Sequence, residues 1–173
     1  IVNRPDIVDG SKTDVGDVIL ALPSAGLHSN GFSLVRRLVF GEAKLAIDAE
    51  VPELGGTLGE ELLRPTRIYV KDILPLLKAY PIKAMSHITG GGLIENLPRT
   101  FSKHLSAKVD VNWQIPPVFP FLQKIGNVAA EEMFRVFNMG IGFVLIVDGD
   151  TAEAMLAAYP ELMRIGQLVE GDG

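Results

Sequence analysis

The sequence predicts an α+β domain in which helices cover one face of a mixed sheet. Three observations lead there. Short apolar runs of strand length, such as "GDVILALP" and "GFVLIV", recur along the chain. Between them lie segments with helical spacing of apolar residues, such as "LLRPTRIYVKDILPLLKAY". One run, "AKVDVNW", alternates strictly, as a half-buried strand does.

Taken in order, "GDVILALP" is a strand stopped by Pro23. "GFSLVRRLVF" follows as a helix with Phe32, Val35 and Val39 on one face, and Gly41 ends it. Glu42 to Gly59, with Pro52 and "LGG", read as a loop with little regular structure. The next helix carries Tyr69, Ile73, Leu76 and Leu77 on one stripe. Pro65 suits its first turn, whereas Pro75 lacks the helical N–H donor and predicts a kink or an early end. "IKAMSHI" is a strand running into "TGGG", and "LIENL" is a short helix stopping before Pro98. In "AKVDVNW", Val109, Val111 and Trp113 face one side, and Lys108, Asp110 and Asn112 the other. "VFPFLQKIG" and "AAEEMFRVF" are two short helices parted near Gly126. "GFVLIV" is a buried strand, and "RIGQLV" closes the chain as another. Between those two, "TAEAMLAAY" is a helix capped by Asp150 or Thr151, with Glu153 in its first turn. The order is β-α-α-β-α-β-α-α-β-α-β, without an internal repeat or clear linker, and one domain is expected over residues 1–173.

Composition narrows the function. The chain has 173 residues, enough for one sizeable core, with 47% hydrophobic and 21% charged residues. A net charge of −5 with no basic block argues against a nucleic-acid partner. The lack of cysteine excludes disulfides, thiolate nucleophiles and Cys-based zinc sites. "IVNRPDIVDGSK" has no signal-peptide pattern, and no run reaches the roughly 18 apolar residues of a membrane span. A cytoplasmic location without a membrane partner is expected. Ile1 is not a natural initiator, so the chain reads as an excised domain.

Three loops between elements are rich in glycine and hydrogen-bonding residues. In "SAGLHSNG", Gly26 and Gly31 permit close backbone approach, Ser29 or Asn30 can cap the next helix, and its amides suit a phosphate. His28 adds a group able to exchange a proton near neutral pH. The same residues also serve a plain capped turn. In "HITGGG", the amides of Thr89, Gly90, Gly91 and Gly92 can form an anion-binding nest, beside His87. No Gly-Lys-Ser/Thr follows, so this is not a Walker A loop. In "NMGIG", Asn138 can adopt a left-handed conformation or accept backbone hydrogen bonds. Arg67 opens a predicted helix, where a cation is disfavoured by the dipole, and so calls for an acidic or phosphate partner. No metal-ligand motif such as H-E-x-x-H is present, nor a nucleophile elbow.

In this order, "SAGLHSNGFSLVR", "LLRPTRIYVK", "HITGGGLIENLPR" and "FNMGIG" resemble the C-terminal half of phosphoribosylformylglycinamidine cyclo-ligase, also called aminoimidazole ribonucleotide synthetase. The resemblance runs from about Gly16 to Gly166. Selenophosphate synthetase, thiamine-monophosphate kinase and formylglycinamide ribonucleotide amidotransferase share the superfamily. They are not expected to join "HSNGFSLVR" to "PTRIYVK" and "WQIPPVFPFLQ".

The resemblance implies an ATP-dependent ligase of purine biosynthesis that converts formylglycinamidine ribonucleotide to 5-aminoimidazole ribonucleotide. ATP activates the formyl-derived oxygen as a phosphoryl ester, and a nitrogen of the same substrate closes the ring. Magnesium is required, and the enzyme is a homodimer. An N-terminal half with a D-x4-G-A-x-P signature carries most nucleotide and metal contacts. That signature is absent here, so the resemblance implies that this domain alone is inactive and holds no metal itself. The sequence also departs from the family at Met139, where "FNCG" is usual, so a thiol there is not required. The site residues expected on this basis are His28, Ser29 and Asn30 at the reacting centre. Gly31, Thr89, Gly90, Gly91, Gly92, His87, Arg67 and Asn138 are expected on phosphate or substrate. A non-catalytic phosphate-binding or assembly module and a superfamily amidotransferase or kinase domain are the alternatives.

Overall fold

The strand Val18–Pro23 (β1) has no polar side chain, and both of its faces are buried. Ile19 and Ala21 point into one core, and Val18, Leu20 and Leu22 into another. This follows from the two-residue alternation of a strand when neither alternation is polar. The computed structural model describes residues 2–171, so the ends of the domain expected over 1–173, including Ile1, lie outside the described residues.

After β1 comes the helix Phe32–Arg36 (α1), which widens into a π-helical stretch over Arg37–Glu42. Gly41 lies inside that stretch and does not end it. The expected loop at Glu42 to Gly59 instead holds a small hairpin, Glu50–Val51 (β2) with Gly56–Thr57 (β3), and the start of the helix Leu58–Leu62 (α2). Thr57 and Glu60 form a reciprocal capping box there, a Thr-x-x-Glu signal legible in "TLGE".

The helix Val70–Ala79 (α3) begins five residues after Pro65 and runs through Pro75 without an early end. Burial of Ile73 and Leu76 on the expected stripe offsets the bond that Pro75 cannot make. The strand Ala84–His87 (β4) and the helix Gly92–Asn96 (α4) follow as expected. The strand Leu105–Val109 (β5) leaves the sheet earlier than its alternation predicts. Val111 is exposed, and Trp113 turns inward so that its Nε1–H donates to the Met139 carbonyl at 2.9 Å.

The helices Val118–Gly126 (α5) and Ala130–Val136 (α6) precede the strand Ile141–Val147 (β6). The helix Gly149–Ala158 (α7) is capped by Asp148, not Asp150 or Thr151, because Asp148 accepts from the Thr151 amide at 2.9 Å. The strand Met163–Glu170 (β7) ends the fold.

The sheet order is β4-β6-β1-β7-β5, and every pairing is antiparallel. The α+β class stands, but the expected mixed sheet is corrected to an antiparallel one. Strand direction depends on which runs become neighbours, and apolar runs alone do not encode that. Helices also cover both faces rather than one. α3 and α7 pack on the face of Leu20 and Leu145, and α4 packs on the face of Ile19 and Ile146. A third core, around Leu38, Phe119, Met133 and Phe137, joins α1, α2, α5 and α6.

Candidate functional site

The antiparallel order brings the three glycine-rich loops to one end of the sheet. β1 ends where β6 begins, with Pro23 opposite Ile141, and β4 ends beside it, with His87 opposite Phe143. The loops after β1, after β4 and before β6 therefore meet. Sequence spacing alone, with Ser24 and Asn138 separated by 114 positions, could not show this.

Asn138 is fully buried and ties two of the loops together. Its Nδ2 donates to the Gly26 carbonyl at 2.8 Å, and its Oδ1 accepts from Ser24 Oγ at 3.0 Å and the Gly140 amide at 2.8 Å. The Ser24 amide also donates to the Gly140 carbonyl at 2.8 Å. Asn138 is not left-handed; Met139 and Gly140 take the positive φ instead. Through these three bonds Asn138 ties the loop after β1 to the loop before β6.

The loop after β1 is strained. His28 and Ser29 have φ of 53° and 60°, in the left-handed region that side-chain-bearing residues rarely adopt. Gly31 has φ of 72° and packs on Phe137, where a side chain would collide with the ring. Gly31 is itself the N-cap of α1, and neither Ser29 nor Asn30 caps the helix. Asn30 Nδ2 instead donates to the His28 carbonyl at 2.9 Å, and Ser29 is exposed.

His28 is buried, and its Nε2 accepts from the Ala25 amide at 2.8 Å and the Arg67 amide at 3.3 Å. Burial lowers its pKa to about 4, assisted by His87 and Arg67, so the ring is neutral at physiological pH. Around it stand Tyr69 at 6.0 Å and His87 at 6.3 Å between ring centroids. His87 is exposed and lies nearly parallel to Phe143 at 6.2 Å. Tyr69 Oη donates to the Pro23 carbonyl at 2.7 Å, and burial pushes its pKa up.

The "TGGG" loop reaches the first loop at Gly90, where a Cβ would lie 3.9 Å from Asn30 Oδ1. Asn96, which sequence reading passed over, turns this loop's carbonyls inward. Its Nδ2 donates to the Gly92 carbonyl at 2.8 Å and the Gly90 carbonyl at 3.2 Å. The amides of Thr89, Gly90 and Gly91 have no acceptor among the described residues. Gly92, at φ 56°, packs so closely on the Phe134 carbonyl that only glycine fits.

Arg67 lies before α3 rather than in it. Its guanidinium pairs with Asp72 at 3.0 Å and Glu161 at 2.7 Å and sits 5.2 Å from the centre of the Tyr69 ring. Arg67 therefore has two acidic partners within the chain. The roles of Asn96 and Tyr69 were hidden because an Asn in a short helix and a Tyr on an apolar stripe look like ordinary core residues. Among the described residues no three His, Cys, Asp or Glu side chains gather to hold a metal ion, so no magnesium step is assigned to this chain. Nor is any helix among them long and apolar enough to cross a membrane.

An antiparallel sheet of this kind with helices on both faces recurs in a solved structure. Thiamine-monophosphate kinase from Stenotrophomonas maltophilia K279a has the same fold, with a TM-score of 0.63 and 20% identity over 99% of this chain and 53% of that one. Over residues 14–173 the chain matches the family described as AIR synthase related protein, C-terminal domain, and it belongs to that family. Its relatives include phosphoribosylformylglycinamidine cyclo-ligase of Alkaliphilus oremlandii, 49% identical over 99% of this chain and 52% of that protein. Another is the protein of the same name from Desulfitobacterium hafniense, 51% identical over 92% of this chain and 48% of that protein. The chain thus spans about half the length of the curated relatives it matches.

Proposed function

We propose that this chain is the C-terminal domain of an ATP-dependent ligase that closes formylglycinamidine ribonucleotide to 5-aminoimidazole ribonucleotide in purine biosynthesis. The observation that carries this reading is the meeting of "HSNG" and "TGGG" at one sheet end, in a chain about half identical to cyclo-ligases. Ring closure needs charge stabilisation on the transferring phosphoryl group and on the oxygen it activates. Fixed amides supply such stabilisation without reorganising. The free amides of Thr89, Gly90 and Gly91 suit a phosphate of the ribonucleotide or of ATP. His28, Ser29, Asn30 and Gly31 form the wall facing it, with His87 beside them. ATP supplies the phosphoryl group when bound, and magnesium belongs to the other half of the parent protein.

We assign the exposed apolar side chains of Leu63, Ile68, Val70 and Leu74, beside the junction, to contact with that other half. On this reading the parent enzyme is a cytoplasmic homodimer, and residues 1–173 are one domain that is inactive alone. The test is an assay of the full-length parent with ATP, magnesium and formylglycinamidine ribonucleotide, without glutamine or ammonia. Formation of 5-aminoimidazole ribonucleotide supports the reading. A folded parent that forms none, or forms product only from glutamine, refutes it.

A further inference from the structure

His28 is buried, yet both ring nitrogens carry consequences. Nε2 accepts from two backbone amides, those of Ala25 and Arg67. A backbone N–H cannot become an acceptor. A proton on Nε2 would point at two N–H groups, so both the Nε2–H tautomer and the imidazolium are disfavoured by geometry. The proton must sit on Nδ1, which finds no acceptor among the described residues. The groups facing the ring are Arg67 and Tyr69 from the segment before α3, and His87 from β4. None is a carboxylate able to hold an imidazolium, and Arg67 is answered by Asp72 and Glu161 instead.

We propose that His28 is a positioning residue: a neutral imidazole in the Nδ1–H form that clamps the strained loop after β1 to the segment before α3. It does not carry protons for the reaction. The clamp accounts for how His28 and Ser29 keep left-handed backbones next to the exposed Ser29 side chain. The inference deepens the reading of this junction as a ligand site and rests on it only for its functional meaning.

The decisive measurement is two-bond 1H–15N correlation of the histidine rings in the 15N-labelled chain. His28 is expected to show an unprotonated Nε2 and a protonated Nδ1, with no titration between about pH 5 and 8. A midpoint within that range, or a proton on Nε2, overturns the proposal. A second measurement reads the clamp itself. His28→Ala should speed hydrogen exchange at the Ala25 and Arg67 amides roughly fivefold or more. His28→Gln, with an acceptor oxygen near the position of Nε2, should restore protection. Unchanged exchange in His28→Ala overturns the clamp, and if that variant does not fold, the wild-type ring spectrum still decides. Titration with inorganic phosphate, read at the Gly90 and Gly91 amides, tests the ligand site separately, so its failure leaves the His28 result standing.

Discussion

The middle of the sheet and the loop junction at its end are built in opposite ways. At the middle, β1 and β6 are apolar on both alternations, and no residue in either strand has a positive φ. At the junction, His28, Ser29 and Met139 hold left-handed backbones, and two buried polar side chains, His28 and Asn138, bind the loops. Each such left-handed residue costs on the order of 1 kcal/mol or more. The contrast teaches that the sheet centre stabilises the fold while the junction draws on that stability to hold an unfavourable shape. Hydrogen bonds across the loops, rather than apolar burial, set that shape.

The comparison can be broken most directly at the sheet centre. Leu20→Ala should lower stability by about 2–5 kcal/mol in urea unfolding, since Leu20 is fully enclosed. A loss below about 1 kcal/mol would mean the sheet is not the stabilising region.

Acid should attack the junction next. The pKa of His28 falls from 6.5 to about 4 on folding, so the unfolded chain takes up this proton first. The stability it contributes is full above pH 6.5 and is lost as pH falls toward 4. The loss is on the order of 3 kcal/mol between about pH 7 and pH 4. Denaturant titrations at several pH values, with His28→Gln as the reference, isolate this part, and equal pH dependence in the two proteins would refute it.

Asn138→Ala comes third. It strands the buried Gly26 carbonyl and the Gly140 amide and should cost about 2–3 kcal/mol, with the loss of structure confined to the loops in hydrogen exchange. Tyr69→Phe removes the bond to the Pro23 carbonyl and should cost about 1 kcal/mol in the same unfolding assay. Ser29→Ala should change stability by less than about 0.5 kcal/mol, because Ser29 is exposed. If the junction holds ligand, the same variant should weaken ribonucleotide binding severalfold in calorimetry. Unaltered binding would remove Ser29 from the proposed site.

Much of this was legible in the residues. The apolar runs placed β1, β4, β6 and β7, and the stripe Tyr69, Ile73, Leu76 faced the core as its spacing predicts. Where local signals competed, reading failed: the capping box in "TLGE" lay inside a Pro- and Gly-rich stretch that looks like a loop. At α7, Asp148 took the cap from the equally suitable Asp150 and Thr151. The glycine-rich loops were recognisable, but their partners were not. Asn138, Asn96 and Tyr69 act through hydrogen bonds that need the folded chain.

By itself, then, the sequence determined the main strands of the sheet, most of the helices and the apolar stripes that face the core. These follow from propensity and periodicity, which act over a few residues. Only the tertiary structure decided that every strand runs antiparallel, that helices cover both faces, and that the loops at Ser24, Thr89 and Asn138 share one end of the sheet. It also decided the state of His28, because two amides distant in sequence, those of Ala25 and Arg67, must meet at one ring nitrogen before its proton has only one place to go.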